Sequence, residues 1–340
     1  MTEPTTMIQS INGDIDTFGD IHFKNSQETI ADEFFTLINR RGIVTIKGVD
    51  SKTFLQGQLT CDVQAINQEK LCSGGYCTPK GRVIGNFWLS QWHDEHLCMA
   101  SDSGGAAALI KQLSKYIVFS KAEAALDSDT ACIGIQTNKI ASVCGTLFEQ
   151  LPAGPEQQVI NGDLKLLQLN EQGLYELWTP ADKLSEIWGI LNDKLHLANS
   201  SHWDRAIIAS GFATVDANTT ELLIPQHLNM QLNGGINFTK GCYTGQEVVA
   251  RMQYRGKLKR HMYRVSAPSL PDSGAPLFGT DGEQSIGNML QSCRSGEQQE
   301  GLACITVAAV AADAVFDQPA GQQRQQLKLL PLPYDIPADD

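Results

Sequence analysis

Residues Asn233 to Arg264 read NGGINFTKGCYTGQEVVARMQYRGKLKRHMYR. A Gly-rich loop opens the stretch. KGCYTGQE, at 240–247, then brings together a lysine, a cysteine, a tyrosine and a Gln-Glu pair. From Val248 onward the stretch turns basic, with Arg251, Arg255, Lys257, Lys259, Arg260 and Arg264 and no acid. The chain around it is acidic: 340 residues carry a formal charge of −12.

As chemistry alone, KGCYTGQE has two readings. Gly241 and Gly245 permit tight turns or close approach of backbone to a ligand. Lys240 beside Cys242 favours the thiolate, the reactive form of cysteine. Tyr243 offers a stacking face with a polar tip. Gln246 and Glu247 can pair with N–H donors of a heteroaromatic ring. Together these suit a flat, nitrogen-rich ligand. The same residues also read as a turn between two elements, with Cys242 buried and inert. The basic run is likewise double. It is either an anion site, for a glutamate tail, a phosphate or RNA, or a strand. In the strand reading, the nearly even-stepped Arg251, Arg255 and Lys257 face solvent and blunt an edge.

Length predicts two or three domains, and 42 % apolar content is ordinary for a globular core. The negative charge speaks against a large phosphate footprint, so direct tRNA binding is not expected. No apolar run is long enough for a bilayer. MTEPTTMIQSINGDID has acids and no basic n-region, which argues against a secretory signal. The expectation is a cytoplasmic protein. The first two dozen residues read as a loose polar lead-in and PYDIPADD as a frayed tail. The nine cysteines are odd in number, show no CxxC spacing and follow no export signal. That argues against a disulfide framework, a zinc ribbon or a ferredoxin-type cluster, and no metal is expected. Most sit in apolar runs, such as Cys98 in HLCMA, Cys132 in ACIGI and Cys304 in LACIT, and read as small buried hydrophobes.

Along the chain, Gly42–Lys47 reads as a strand and Asp50 as the cap of a helix through Leu59. Residues 82–91 and 95–100 read as a hairpin turning at His93-Asp94. Ser101-Asp102-Ser103-Gly104-Gly105 is similar to a serine-protease nucleophile loop, but no triad context accompanies it, and a polar N-cap is the better reading. The middle third alternates: a strand near 117–125, a strand at 131–136, a helix at 138–150 ended by Pro152, a hairpin at 163–169 and 174–179, and a helix at 180–195. That order suggests a split-βαβ, ferredoxin-like unit. A short helix at 203–210 stops at Gly211. Beyond Tyr263, short runs separated by Pro271-Asp272-Ser273-Gly274, Asp281-Gly282 and Ser295-Gly296 suggest a small β-barrel or sandwich. GxGxxG, GxxxxGK[ST], HExxH and GxSxG are all missing.

KGCYTGQE, preceded by IPQHLNMQLNGGINFT and followed by VVARMQYRG, resembles the signature of the YgfZ family, folate-binding proteins linked to tRNA modification and iron–sulfur maintenance. TIKGVDSKTFLQGQLTCDV, CTPKGRVIGNFWL, KYIVFSK and WDRAIIASG fit the same family in order. The resemblance implies an α+β fold shared with the T-protein aminomethyltransferase of the glycine cleavage system. It would comprise a folate-binding domain at 25–120 and 200–250, a ferredoxin-like domain at 121–199 and a C-terminal β-barrel at 251–335. It implies tetrahydrofolate or another reduced folate as ligand, and iron–sulfur enzymes, tRNA-thiolating ones included, as partners. Cys242 matches the motif cysteine and is the candidate reactive residue. Lys240, Tyr243, Gln246, Glu247 and Arg251 are candidate folate contacts from the motif and its flank. Trp203 matches a family tryptophan, and Arg41 stands where a second one is expected. Aligned on Gly81, the catalytic acids of the T-protein relatives fall on Gly85 and Asn86, so the transfer carboxylate is missing. A folate-binding accessory factor with Cys242 as its key residue is therefore the main expectation. A folate-dependent aminomethyltransferase-like enzyme with another base is the alternative.

Overall fold

The computed structural model describes residues 8–9, 11–16, 20–24, 32–38 and 40–337. Residues 1–7, 10 and 17–19 of the expected lead-in, and 338–340 of the expected tail, lie outside the described residues. What is described there is not loose. Strands β1 (Gly13–Ile15) and β2 (Ile21–Phe23) pair antiparallel, and Ile8, Ile11, Ile21 and Phe23 are buried in a core cluster. At the other end Tyr334 donates its hydroxyl to Gly211 O at 2.8 Å. The apolar residues inside these polar-looking ends account for both differences, because burial of each large side chain is worth about 2 kcal/mol.

Next come β3 (Phe34–Leu37), β4 (Arg41–Lys47), β5 (Cys72–Cys77), β6 (Val83–His93), β7 (His96–Asp102) and β8 (Glu123–Asp127). Five of these form an antiparallel sheet in the order β5-β6-β7-β4-β8. The β6–β7 hairpin turns at Asp94-Glu95, one residue later than expected, with Glu95 left-handed at φ 62. The helix Ser103–Leu113 starts as the sequence suggests: the Asp102 carboxylate accepts from Gly104 N at 2.8 Å. Asp50 instead uses its carboxylate on Lys121 N at 2.7 Å, and the helix after it spans only Ser51–Gln56.

The second sheet departs from the expected unit. It contains β9 (Thr130–Gln136), β10 (Gln157–Asn161), β11 (Leu164–Gln168), β12 (Leu174–Pro180) and β13 (His196–Leu197), in the order β10-β11-β12-β9-β3-β13. The strand expected near 117–125 is β8, and it pairs with β4 in the first sheet. Its place beside β9 is taken by β3, from the other side of β4. Burial explains the exchange. Phe34–Leu37 is buried throughout and needs cover on both faces, whereas Glu123–Asp127 is mostly exposed and suits an edge. The helix expected over 138–150 is shorter, Ile140–Cys144, and Gly145 follows it directly.

The helices Ser200–Ala209 and Gln246–Arg255 lead to the last sheet. It has β14 (Arg260–Ala267), β15 (Pro276–Phe278), β16 (Ser285–Ser295), β17 (Gln298–Thr306) and β18 (Lys328–Leu330), ordered β15-β16-β17-β14-β18. Bridges from Phe278 to Phe316 and from Phe316 to Gln326 link its two edges, which removes free edges as barrel closure does. The basic run is therefore not one strand. Residues 246–255 are helical, as expected for Gln, Glu, Ala, Arg and Met in sequence, and Arg251 and Arg255 lie one turn apart in solvent.

One cluster joins the first two sheets. It contains Ile43, Trp88 and Ala100 from the first, Cys132, Leu167 and Trp178 from the second, and Trp203 and Ile207 from the helix Ser200–Ala209. The seam also holds a fully buried lysine. Lys165 Nζ sits 4.3 Å from the centre of the Trp92 ring and 5.0 Å from that of Trp178. It donates to Ser90 Oγ at 3.1 Å and Gln91 O at 3.3 Å. Burial pushes its pKa down to about 8.

Candidate functional site

The predicted site residues fall in two places. Arg41 and Trp203 line one cleft, with Trp88, Asp102, Asp204 and Phe212 among its other walls. Lys240, Cys242, Tyr243, Gln246, Glu247 and Arg251 do not line it.

The cleft has aromatic walls. Trp88 and Phe212 stack with centroids 4.8 Å apart and planes at 17°. Trp203 lies flat on β9, where a Cβ at Gly134 would come within 2.2 Å of its ring. Arg41 ion-pairs with the fully buried Glu176, whose other oxygen accepts from Trp178 Nε1 at 3.0 Å. A guanidinium so held is fixed in orientation. Its Nε–H, and the indole N–H of Trp88, are buried and have no partner. Such groups are uncommon in folded proteins, and an unfilled ligand position is one reason for them. Burial also pushes up the carboxyls of Asp20, Asp102 and Asp204, the last to about 6 although its side chain keeps 29 % exposure. Arg40, 3.6 Å from Asp204, opposes that rise. The free volume is about 50 Å³, and about 780 Å³ with the open mouth. The smaller figure is below the roughly 300 Å³ of a typical ligand pocket, so a ring enters only with movement of side chains.

Asn86 adjoins this cleft through the segment 213–215. Its Nδ2 donates to Ala213 O at 2.5 Å and its Oδ1 accepts from Val215 N at 2.9 Å. An ionised carboxylate cannot make the first of these bonds, because it has no proton to donate. The residue at the expected acid position is thus a neutral structural peg.

The motif makes a different kind of site. Lys240 Nζ donates to the carbonyls of Gln56, Leu59 and Cys61 at 2.8, 2.9 and 2.6 Å. All three of its N–H bonds are engaged: one caps the last carbonyl of the helix Ser51–Gln56 and two hold the turn that follows it. Burial lowers its pKa. Tyr243 is buried beside it, with Nζ 5.4 Å from the ring centre, and its phenol is pushed up by the same burial. Gly245, at φ 84, packs so closely that a Cβ would lie 2.5 Å from Thr78 O. Gln246 and Glu247 form the first turn of the following helix, where a negative charge is favourable. Cys242 points outward, and it alone of the nine thiols is exposed. Burial pushes Cys98 up to about 11 and Cys77, Cys144 and Cys304 up to about 12, so these stay protonated and unreactive.

Three contributors escaped sequence reasoning. Trp88 lies within CTPKGRVIGNFWL and Phe212 directly follows WDRAIIASG, but neither stretch marks them as ligand walls. Glu176 left a trace, a lone acid inside the apolar run LYELW, which is a signal for a buried partnered charge.

Fold and site define an α+β protein built like an aminomethyltransferase T, with the neutral amide of Asn86 at the position where the resemblance expects an acid. The glycine cleavage system aminomethyltransferase T of Bartonella henselae superposes with a TM-score of 0.77, covering 98 % of this chain and 97 % of that one at 14 % identity. No protein-family model matches the chain. Curated relatives do. The chain is 31 % identical to the tRNA-modifying protein YgfZ of Yersinia enterocolitica over 87 % of its length and 91 % of the relative's. It is 32 % identical to that of Edwardsiella ictaluri over 86 % and 89 %. The chain belongs to the YgfZ family of tRNA-modifying proteins. No helix among the described residues is long and apolar enough to cross a membrane.

Proposed function

We propose that this protein is a cytoplasmic, reduced-folate-binding accessory factor. It supports tRNA modification and the assembly or repair of iron–sulfur enzymes, including tRNA-thiolating ones, and does not itself transfer aminomethyl groups. One observation carries the folate reading: two buried donors without partners, Arg41 Nε–H and Trp88 Nε1–H, belong to the walls of one aromatic cleft. A pterin ring is flat and rich in acceptors, so these groups fit it. Trp88, Trp203 and Phe212 would flank the ring, Arg41 would donate to it, and Asp102 or Asp204 would accept from its N–H groups. When bound, a reduced folate supplies one-carbon or redox chemistry. The buried amide of Asn86 supports the absence of transfer.

The exposed Cys242 is the thiol that partner enzymes meet. Lys240, Tyr243 and Gly245 position it by anchoring the residues on either side. Gln246, Glu247 and Arg251 lie on the helix that follows it.

The test is titration with 5-formyltetrahydrofolate and tetrahydrofolate, read by tryptophan fluorescence and calorimetry. Trp88→Phe and Arg41→Lys are expected to weaken binding at least tenfold while leaving the fold intact by circular dichroism. Failure of every reduced folate to bind sinks the reading. In a strain lacking the protein, Cys242→Ser is expected not to restore tRNA thiolation.

A further inference from the structure

A second cleft lies where the turn between β5 and β6 meets the linker entering β14. Arg82 comes from that turn, His227 from the 3-10 helix Pro225–Leu228, Lys257 and Lys259 from the linker, and Arg260 from the first position of β14. Leu222, Leu223 and Met252 supply an apolar floor, and no carboxylate lines the space. Its free volume is about 470 Å³, far more than a single anion needs. Among the described residues, Arg82, Lys259 and Arg260 have no ion-pair partner. This is a cationic cleft in a chain of net charge −12.

The guanidinium groups are positioned. Arg82 Nη1 donates to Leu222 O at 2.6 Å and Arg260 Nη2 to Ser285 O at 3.4 Å, leaving other N–H groups for a ligand. The turn carrying Arg82 is held by Gly81, at φ 70, where a Cβ would press to 2.8 Å from Val248. His227 Nδ1 is buried without a partner. Burial, with Arg260 and Arg82 nearby, lowers its pKa to about 4, so at neutral pH it offers a neutral imidazole.

We propose that this cleft docks a single-stranded RNA segment. Arg82, Lys257, Lys259 and Arg260 would contact successive phosphates while a sugar and base rest on the apolar floor. A lone phosphate would leave the floor and most of the cations unused, and a duplex would keep its bases from the floor. The acidic remainder of the surface repels RNA and confines the contact to this face. The inference deepens the tRNA side of the proposed function, and it does not depend on the folate cleft.

Anisotropy of a short labelled single-stranded RNA, measured between about 50 and 200 mM salt, tests it. Four phosphate contacts predict a log–log slope of about −3 for a single strand. Lys257→Glu with Lys259→Glu is expected to weaken binding at least tenfold at low salt and to reduce the slope by about 1.4. Lys111→Glu with Lys115→Glu, exposed near the end of the helix Ser103–Leu113 and in the turn just after it, is expected to change neither. No binding at low salt overturns the proposal, as does an equal loss in the control pair. Competition by inorganic polyphosphate as effective as that by unlabelled RNA also overturns it. Reduced-folate titration of the Lys257/Lys259 variant is expected to match wild type, which separates failure here from failure of the folate reading.

Discussion

Asn86→Asp inserts a carboxylate where the T-protein resemblance places one, and its cost follows from two hydrogen bonds. The amide donates to Ala213 O and accepts from Val215 N in a site 4 % exposed. An ionised Asp keeps the second bond and turns the first into a contact between two acceptors. Desolvation and that repulsion both raise the carboxyl pKa in the folded state, on the order of two units above 3.9. Each unit is 1.36 kcal/mol, so the variant loses about 3 kcal/mol at pH 7.5. In melting temperature this is on the order of 4 °C for a chain of 340 residues. The sign with pH follows directly. A protonated Asp can donate to Ala213 O as the amide does, so a folded pKa above the unfolded one means stability is retained below about pH 4. It is lost as pH rises through the folded value. Calorimetric melts of variant and wild type from pH 4.5 to 7.5 should therefore diverge with rising pH. Equal melting at pH 7.5, or measurable aminomethyl transfer by the variant, would refute the role of Asn86 as a neutral peg.

Two further outcomes follow from buried groups. Lys165→Met should stabilise the protein at pH 7 by about 1–2 kcal/mol, since burying a charge without a carboxylate costs more than its two Trp contacts and the Ser90 bond return. The unfolded chain holds the lysine proton to about 10.5 and the folded one releases it near 8. Wild-type stability should thus rise relative to the variant between those pH values, and parallel denaturant midpoints from pH 7 to 10 would contradict this. A thiol reagent should modify one cysteine per chain in the native protein and nine after denaturation, with Cys242→Ser abolishing the native reaction. Rapid native modification of a second thiol would show that burial does not protect the others.

Local pattern carried the strands but not their partners. GIVTI and ACIGI are apolar runs that form strands wherever they pack, and both do so. Which strand lies beside ACIGI depends on an exchange across the whole N-terminal third, and neither Phe34–Leu37 nor Glu123–Asp127 encodes it locally. The same limit hid the cleft. Arg41 meets Glu176 across 135 residues, and Trp88 reaches Phe212 only after the helix Ser200–Ala209 returns to the seam. The basic run failed for another reason. Even spacing suggested a strand, but Gly245 can adopt the left-handed turn that starts a helix, and residues 246–255 are good helix formers.

KGCYTGQE combines the two readings that its composition offered. Lys240 and Tyr243 turn inward and act as the plain turn would, tying the helix Ser51–Gln56 to the segment that follows. Cys242 lies between them and turns outward. A loop with one exposed thiol would ordinarily wander over several ångströms, and each immobilised residue costs about 1–2 kcal/mol of backbone entropy. Here three lysine hydrogen bonds on one side and the close Gly245–Thr78 contact on the other meet that cost. The inward residues thereby give the outward one a defined position. Replacing Lys240 should accordingly impair Cys242 by displacing it, even though the lysine has no hydrogen left for a ligand.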